Sequence, residues 1–94
     1  MSEAGKIDLI LKELYESHRG VLCSLKYIIS RAQIDIRSLQ NMTIKANRLN
    51  RAKLIRVVLM EDDLLVMLTP EGKFFCERSS YAYPGFPIIT HKQR

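Results

Sequence analysis

Apolar positions recur at helical spacing through the first half of the chain and then change to short runs. Ile7, Ile10, Leu11 and Leu14 lie on one side of a stretch that keeps Lys12, Glu13 and Glu16 on the other. This predicts an amphipathic helix over residues 6–17, ended by Gly20. Val21, Leu22 and Cys23 predict a strand of two or three residues. Ser24 then caps a second helix running to about Ala32, with Leu25, Ile28, Ile29 and Ala32 inward. A third helix runs to about Arg51, with Asp35 as preferred N-cap and Ser38 as the alternative. Leu39, Met42, Ala46 and Leu49 fall within about 80° of one another on it, which makes one buried stripe.

After Lys53 the helical period stops. Leu54–Met60 and Leu64–Thr69 are rich in Val, Leu and Ile, and Glu61-Asp62-Asp63 separates them as a hairpin turn would. Thr69-Pro70-Glu71 supplies an N-cap, an N1 proline and a first-turn acid, so a fourth helix starts there and stops near Ser79 or Ser80. The remainder, residues 81–94, carries two prolines and no helical period. Helix, short strand, two helices, hairpin and helix give an α+β chain, mainly α. Three helices before a hairpin, the third of them basic, define a winged helix: a three-helix core with a helix-turn-helix, a β-hairpin wing and a C-terminal helix. Residues 1–80 are expected to form one DNA-binding domain, and 81–94 an apolar tail that contributes to dimerisation.

Charge is concentrated rather than spread. Arg37, Lys45, Arg48, Arg51, Lys53 and Arg56 lie within residues 35–56 against the single acid Asp35, which accounts for the whole formal charge of +5. A cationic surface confined to one element is the footprint of a nucleic-acid reader; a merely solvated basic face is the alternative.

Composition excludes several classes. With 47% hydrophobic and 27% charged residues in 94, the chain is an ordinary globular domain. No apolar run approaches the ~20 residues of a membrane helix, and the N-terminal stretch has no signal-peptide core. No membrane partner is expected, and a cytoplasmic protein is. There is no phosphate-cradling glycine loop and no Ser/His/Asp or Cys/His set, so an enzyme is not expected. His18 and His91 complete no zinc spacing, so neither metal nor cofactor is expected. Cys23 and Cys76 are read either as two buried reduced thiols or as a disulfide, within the chain or between subunits.

Arg48-Leu49 followed by Leu54-Ile55, and the segment Leu68-Thr69-Pro70-Glu71-Gly72, resemble winged helix-turn-helix transcription regulators of the MarR and PadR groups. The resemblance covers about residues 7–80. In size and style the chain is also similar to small winged-helix proteins of hyperthermophilic archaea and their viruses, for which the location would be the host cytoplasm. Two departures stand out. Lys53 occupies the position where those families have glycine, so the left-handed residue after the third helix is expected to be missing. The wing tip carries Glu61-Asp62-Asp63, which phosphates would repel, so the family's wing contact is not carried over.

On the third helix, the face opposite the buried stripe presents Arg37, Gln40, Asn41 and Ile44 as candidate base readers: Arg for guanine, Gln or Asn for adenine, an apolar group for the thymine methyl. A neighbouring loop or subunit covering Ile44 is the alternative. Lys45, Arg48, Arg51 and Lys53 are candidate phosphate contacts. Five of the seven aromatic residues, Phe74, Phe75, Tyr81, Tyr83 and Phe86, fall near the C-terminus. This surplus is read as a dimerisation surface, with a tail folded on its own core as the alternative. The expected function is a homodimeric, sequence-specific double-stranded DNA-binding transcription regulator, on a pseudo-palindrome with half-sites ~34 Å apart. The rival is a protein-interaction module without specific DNA binding. No effector pocket is identified.

Overall fold

The structure, a computed structural model, describes residues 2–18 and 20–89; the end of the tail, with His91, lies outside the described residues. Helix α1 spans Glu3–Ser17, starting earlier than the apolar pattern because the Ser2 hydroxyl accepts the Gly5 N–H at 3.0 Å. Strand β1 is only Cys23–Ser24. Val21 and Leu22, which the apolar pattern assigns to a strand, precede it and are exposed. Ser24 caps α2, Leu25–Arg31, as its position before the apolar stripe implies.

The linker to the third helix departs from expectation. Asp35 does act as a cap, but of a 3₁₀ turn, Ile36–Ser38, and helix α3 is Leu39–Arg51. Arg37 therefore stands on the turn and not on the helix. One contact at the turn is local and one comes from α1. The Asp35 carboxylate accepts the Arg37 N–H at 2.9 Å, while the Ser38 hydroxyl accepts from Lys6 Nζ at 3.2 Å and makes no cap bond to α3.

Helices α2 and α3 close in the same way. After α2, the Gln33 N–H reaches the Ser30 carbonyl and the Ile34 N–H reaches the Ile29 carbonyl; after α3, Lys53 and Leu54 repeat this with Asn50 and Leu49. These are paired Schellman closures, which require a left-handed residue. Gln33 (φ 60°) and Lys53 (φ 67°) supply it without being glycine. The expectation that Lys53 leaves the turn without a left-handed residue is thus corrected: Lys53 adopts the conformation itself, at a steric cost of about 1–2 kcal/mol.

Strands β2 (Ile55–Met60) and β3 (Asp63–Leu68) form a hairpin closed by Glu61 and Asp62, with Glu61 left-handed at φ 53°. The sheet is antiparallel in the order β1-β3-β2. Its register pairs Ile55 with Leu68, Val57 with Val66 and Leu59 with Leu64 on one face, and Arg56 with Met67, Val58 with Leu65 and Met60 with Asp63 on the other. Buried Ile55, Val66 and Leu68 mark the first face as the inner one. It packs with Leu11 and Leu14 of α1, Ile28 and Ile29 of α2 and Met42 of α3 into one core.

Helix α4, Pro70–Arg78, is fixed at its start by Thr69, whose Oγ1 accepts the Gly72 N–H at 2.9 Å. At Gly72 a Cβ would lie 1.9 Å from the Leu54 carbonyl oxygen. The glycine lets α4 touch the backbone that joins α3 to β2.

Of the two readings of the tail, the one in which it folds on its own core describes its course as far as Ile89. The Asp8 carboxylate accepts the Tyr81 and Ala82 N–H groups at 2.8 and 2.9 Å. The Ile89 N–H reaches the Cys76 carbonyl at 3.1 Å, and Ile89 is buried. The tail as far as Ile89 is therefore part of the same packed unit, while Tyr83 and Phe86 remain in solvent. Both cysteines are free. No bond joins Cys23 to Cys76 within the chain. Burial, with Asp8 and Glu77 nearby, pushes the Cys76 thiol up to about 12, and its 0% exposure offers no sulfur to a second chain.

Candidate nucleic-acid interface

Helix α3 buries Met42, Ala46 and Leu49 and turns Gln40, Asn41, Ile44, Arg48 and Arg51 outward. The helical period alone dictates this division. Ile44 is 50% exposed, so no loop among the described residues covers it. Lys45 is half-buried on the flank, and Lys53 is exposed just past the helix. Thr43 turns its hydroxyl back to the Leu39 carbonyl at 2.9 Å and so stays with the helix. Among the described residues, Lys45, Arg48, Arg51, Lys53 and Arg56 have no ion-pair partner. Their charge is uncompensated and available to a polyanion.

Arg37 differs from these five. Its guanidinium meets Asp35 Oδ2 with Nη2 at 2.6 Å and Nε at 3.0 Å. Those bonds hold the Asp35 carboxyl down at about 2 and raise the Arg37 guanidinium. The side chain is 88% exposed yet electrically matched. It borders the helix face, but it must leave Asp35 before it can bind an anion elsewhere.

Helix α2, one step back, offers little free charge beside Lys26. Arg31 is drawn toward Glu13 at 3.5 Å, and Gln33 is spent on the left-handed turn.

Three residues near α3 escaped the sequence pattern. Lys6 of α1, paired with Glu3 at 3.6 Å, reaches Ser38 at the start of the third-helix region. It lies far from α3 in sequence, so only the packing of α1 could reveal it. Ile36 is 57% exposed on the 3₁₀ turn, a second apolar side chain beside Ile44. The signal for it was present, since Ile36 fits no buried stripe. Asn50 accepts the Val57 N–H at 3.3 Å and so covers part of the free edge of β2.

The hairpin contrasts with this surface. Glu61 and Asp62 are exposed at its tip beside Leu59 (72% exposed) and Met60 (56%). Asp63 lies in β3 and accepts from the Ser24 hydroxyl at 3.0 Å.

The aromatic residues assigned to dimerisation separate into three groups. Phe75 and Tyr81 pack on each other, with ring centroids 5.2 Å apart. Phe74 is exposed on α4, against a groove of about 530 Å³ shared with Met67, Pro70 and Lys73. Tyr83 and Phe86 stand on the tail turn, both 71% exposed.

Among the described residues, no group of His, Cys, Asp and Glu could hold a metal ion, and no helix is long and apolar enough to cross a membrane. Compared with family models, curated proteins and solved structures, the chain matches none.

Proposed function

We propose that this chain is a winged-helix reader of double-stranded DNA that acts on transcription as a homodimer. One observation carries the proposal. Helix α3 exposes a polar and cationic face whose arginines have no internal partner among the described residues. A helix of this kind, packed into the core with α1 and α2 through its buried stripe, suits the major groove, with its N-terminal half toward the base edges.

Gln40 and Asn41 are the adenine-type readers, and Ile44 meets a thymine methyl. Arg37 joins them once released from Asp35. Lys45, Arg48, Arg51 and Lys53 hold phosphates and set the register. The second copy doubles the recognition length, which a single short helix cannot supply. The reading implies a cytoplasmic protein and invokes no cofactor.

The test is duplex binding by fluorescence anisotropy across a salt series. Several phosphate contacts predict a loss of about 10³–10⁵ in affinity between 50 and 200 mM salt for six to ten contacts, and proportionately less for four. Selection of bound fragments from random duplexes should return a pseudo-palindrome. Weak, salt-insensitive binding sinks the proposal.

A second reading, a protein-interaction module, draws on the acid-tipped apolar hairpin. It predicts no duplex binding beyond what the net charge gives.

A further inference from the structure

An antiparallel sheet packed on one face is expected to carry polar side chains on the other. Here the outer face departs from that rule. By the hairpin register it presents Arg56, Val58 and Met60 from β2 beside Met67, Leu65 and Asp63 from β3. None of these is buried; Met60 is 56% exposed and the remaining apolar ones are half-buried. The apolar strip continues past Met67 across the 530 Å³ groove to Phe74, which is 56% exposed. Nothing in the folding of one chain needs four apolar side chains on this side of the sheet. Their burial against another surface would recover hydrophobic stabilisation that the monomer forgoes.

The charges indicate which surface. At one end of β2, Arg56 has no ion-pair partner among the described residues; at the other end, Glu61 and Asp62 have none. The strip thus has a neutral apolar middle, a positive end and a negative end, separated by about 17 Å of chain. Such a pattern is complementary to itself. Rotation by 180° about an axis crossing the strands at Val58 sets Arg56 of each copy beside the acidic tip of the other and Val58 on Val58. Two sheets stacked in this way lie about 10 Å apart with strands nearly aligned, the ordinary geometry of a sandwich. An isologous contact uses every favourable pair twice.

We propose that the outer face of the β-sheet is the docking surface for a second copy of this chain, packed face to face about a two-fold axis at Val58. Helix α3 joins the core through Met42, Ala46 and Leu49 and contributes no residue to this strip. The inference rests on the two-copy part of the DNA-reading proposal and names its surface, but it is measured with no DNA present.

The experiment is sedimentation velocity on the full chain at 5–100 μM, about the range in which weak dimers titrate. The wild-type chain is expected to dimerise. Val58→Lys places two cations on the axis and should raise the dimer dissociation constant at least tenfold while circular dichroism stays native. Charge exchange provides an arm in which every change is at an exposed site. Arg56→Glu alone and Glu61→Arg/Asp62→Arg alone should each dimerise at least fivefold more weakly than wild type, and an equimolar mixture of the two should restore association.

A wild-type chain that stays monomeric overturns the proposal. So does a dimer that survives both Val58→Lys and the separate charge variants, or one lost instead through Tyr83→Ser/Phe86→Ser on the tail turn. Duplex binding is scored separately: a salt-insensitive wild-type chain that dimerises through this face would sink the DNA reading and leave the interface standing.

Discussion

Helix α3 and the β2–β3 hairpin are consecutive elements, joined only by Ala52, Lys53 and Leu54, yet they meet solvent with opposite chemistry. The helix exposes Asn41, Ile44, Arg48 and Arg51. The hairpin exposes Leu59 and Met60 and ends in Glu61 and Asp62. A chain with +5 net charge could have placed cations on both, as a reader gripping two grooves would. Instead the acids gather at the hairpin tip, and Arg56, near the end of the helix, is the one cation of the two strands. The two partners proposed above, a polyanion for the helix and a second sheet for the hairpin, would each meet one of these two surfaces.

The largest expected effect tests the joint that holds the two regions together. Gly72→Ala would drive a Cβ to 1.9 Å from the Leu54 carbonyl oxygen and 2.7 Å from Leu68 Cδ1. Backbone on one side and a core leucine on the other leave little room to yield. Thermal or denaturant unfolding should show a loss of about 3 kcal/mol or more. A near-neutral variant would mean that α4 can slide away from the junction, so that the helix and hairpin are not rigidly coupled.

Next come the helix residues themselves. Asn41→Ala should cost about 1–3 kcal/mol of binding on the preferred duplex and little on an unrelated one, because only base edges are lost. Arg51→Ala should weaken both duplexes alike and reduce the salt slope by about one. If the two variants behave identically, the division of α3 into a reading half and a clamping half fails.

Lys53 sits between the regions and separates stability from binding. As the left-handed residue closing α3, it pays a steric cost that glycine avoids. Lys53→Gly should raise folding stability by about 0.5–1 kcal/mol, net of the entropy that glycine adds to the unfolded chain. It should weaken duplex binding through the missing cation. Opposite signs in unfolding and in anisotropy would establish that Lys53 is retained for its charge. Equal signs would make it a structural residue only.

What the sequence made legible, and what it hid, follows the same division. The stripe Met42, Ala46 and Leu49, and the caps Ser24 and Thr69, were readable because each obeys a local rule: helical period, or a hydroxyl two to three residues before an amide that needs a partner. The 3₁₀ turn that takes Arg37 off the helix was hidden, since it depends on Lys6 occupying Ser38 from a distant part of the chain. The left-handed Lys53 was misjudged because residue preference is weaker than the two closing hydrogen bonds and the inward pull on Leu54. Docking of the tail on α1 uses the Asp8 carboxylate, more than 70 residues from its amides, and no pattern along the chain announces that. The apolar outer face of the sheet was present in the runs of Val, Leu and Met, but only the register told which members face outward.

The smallest expected effect concerns Asp35, the single acid within the basic segment. Its carboxyl is held at about 2, below the ordinary 3.8, first by the Arg37 side-chain hydrogen bond and then by the Arg37 backbone N–H. A depressed carboxylate stabilises the fold above its unfolded value, and that contribution fades as pH falls from 3.8 toward 2. The pair is exposed, so solvent screening keeps the contribution to folding slight. Its effect on binding is easier to observe. Asp35→Asn keeps an oxygen for the Arg37 N–H but removes the charge that holds the guanidinium. Duplex affinity should then rise a few-fold at low salt, and the salt slope should steepen by about one if Arg37 meets a phosphate. If Arg37 reads a base, the gain should instead appear on the preferred duplex and not on others. An NMR titration of the Asp35 carboxyl fixes the starting point: a midpoint near 4 would mean that Arg37 is already free, and the variant should then change nothing beyond the effect of one added charge.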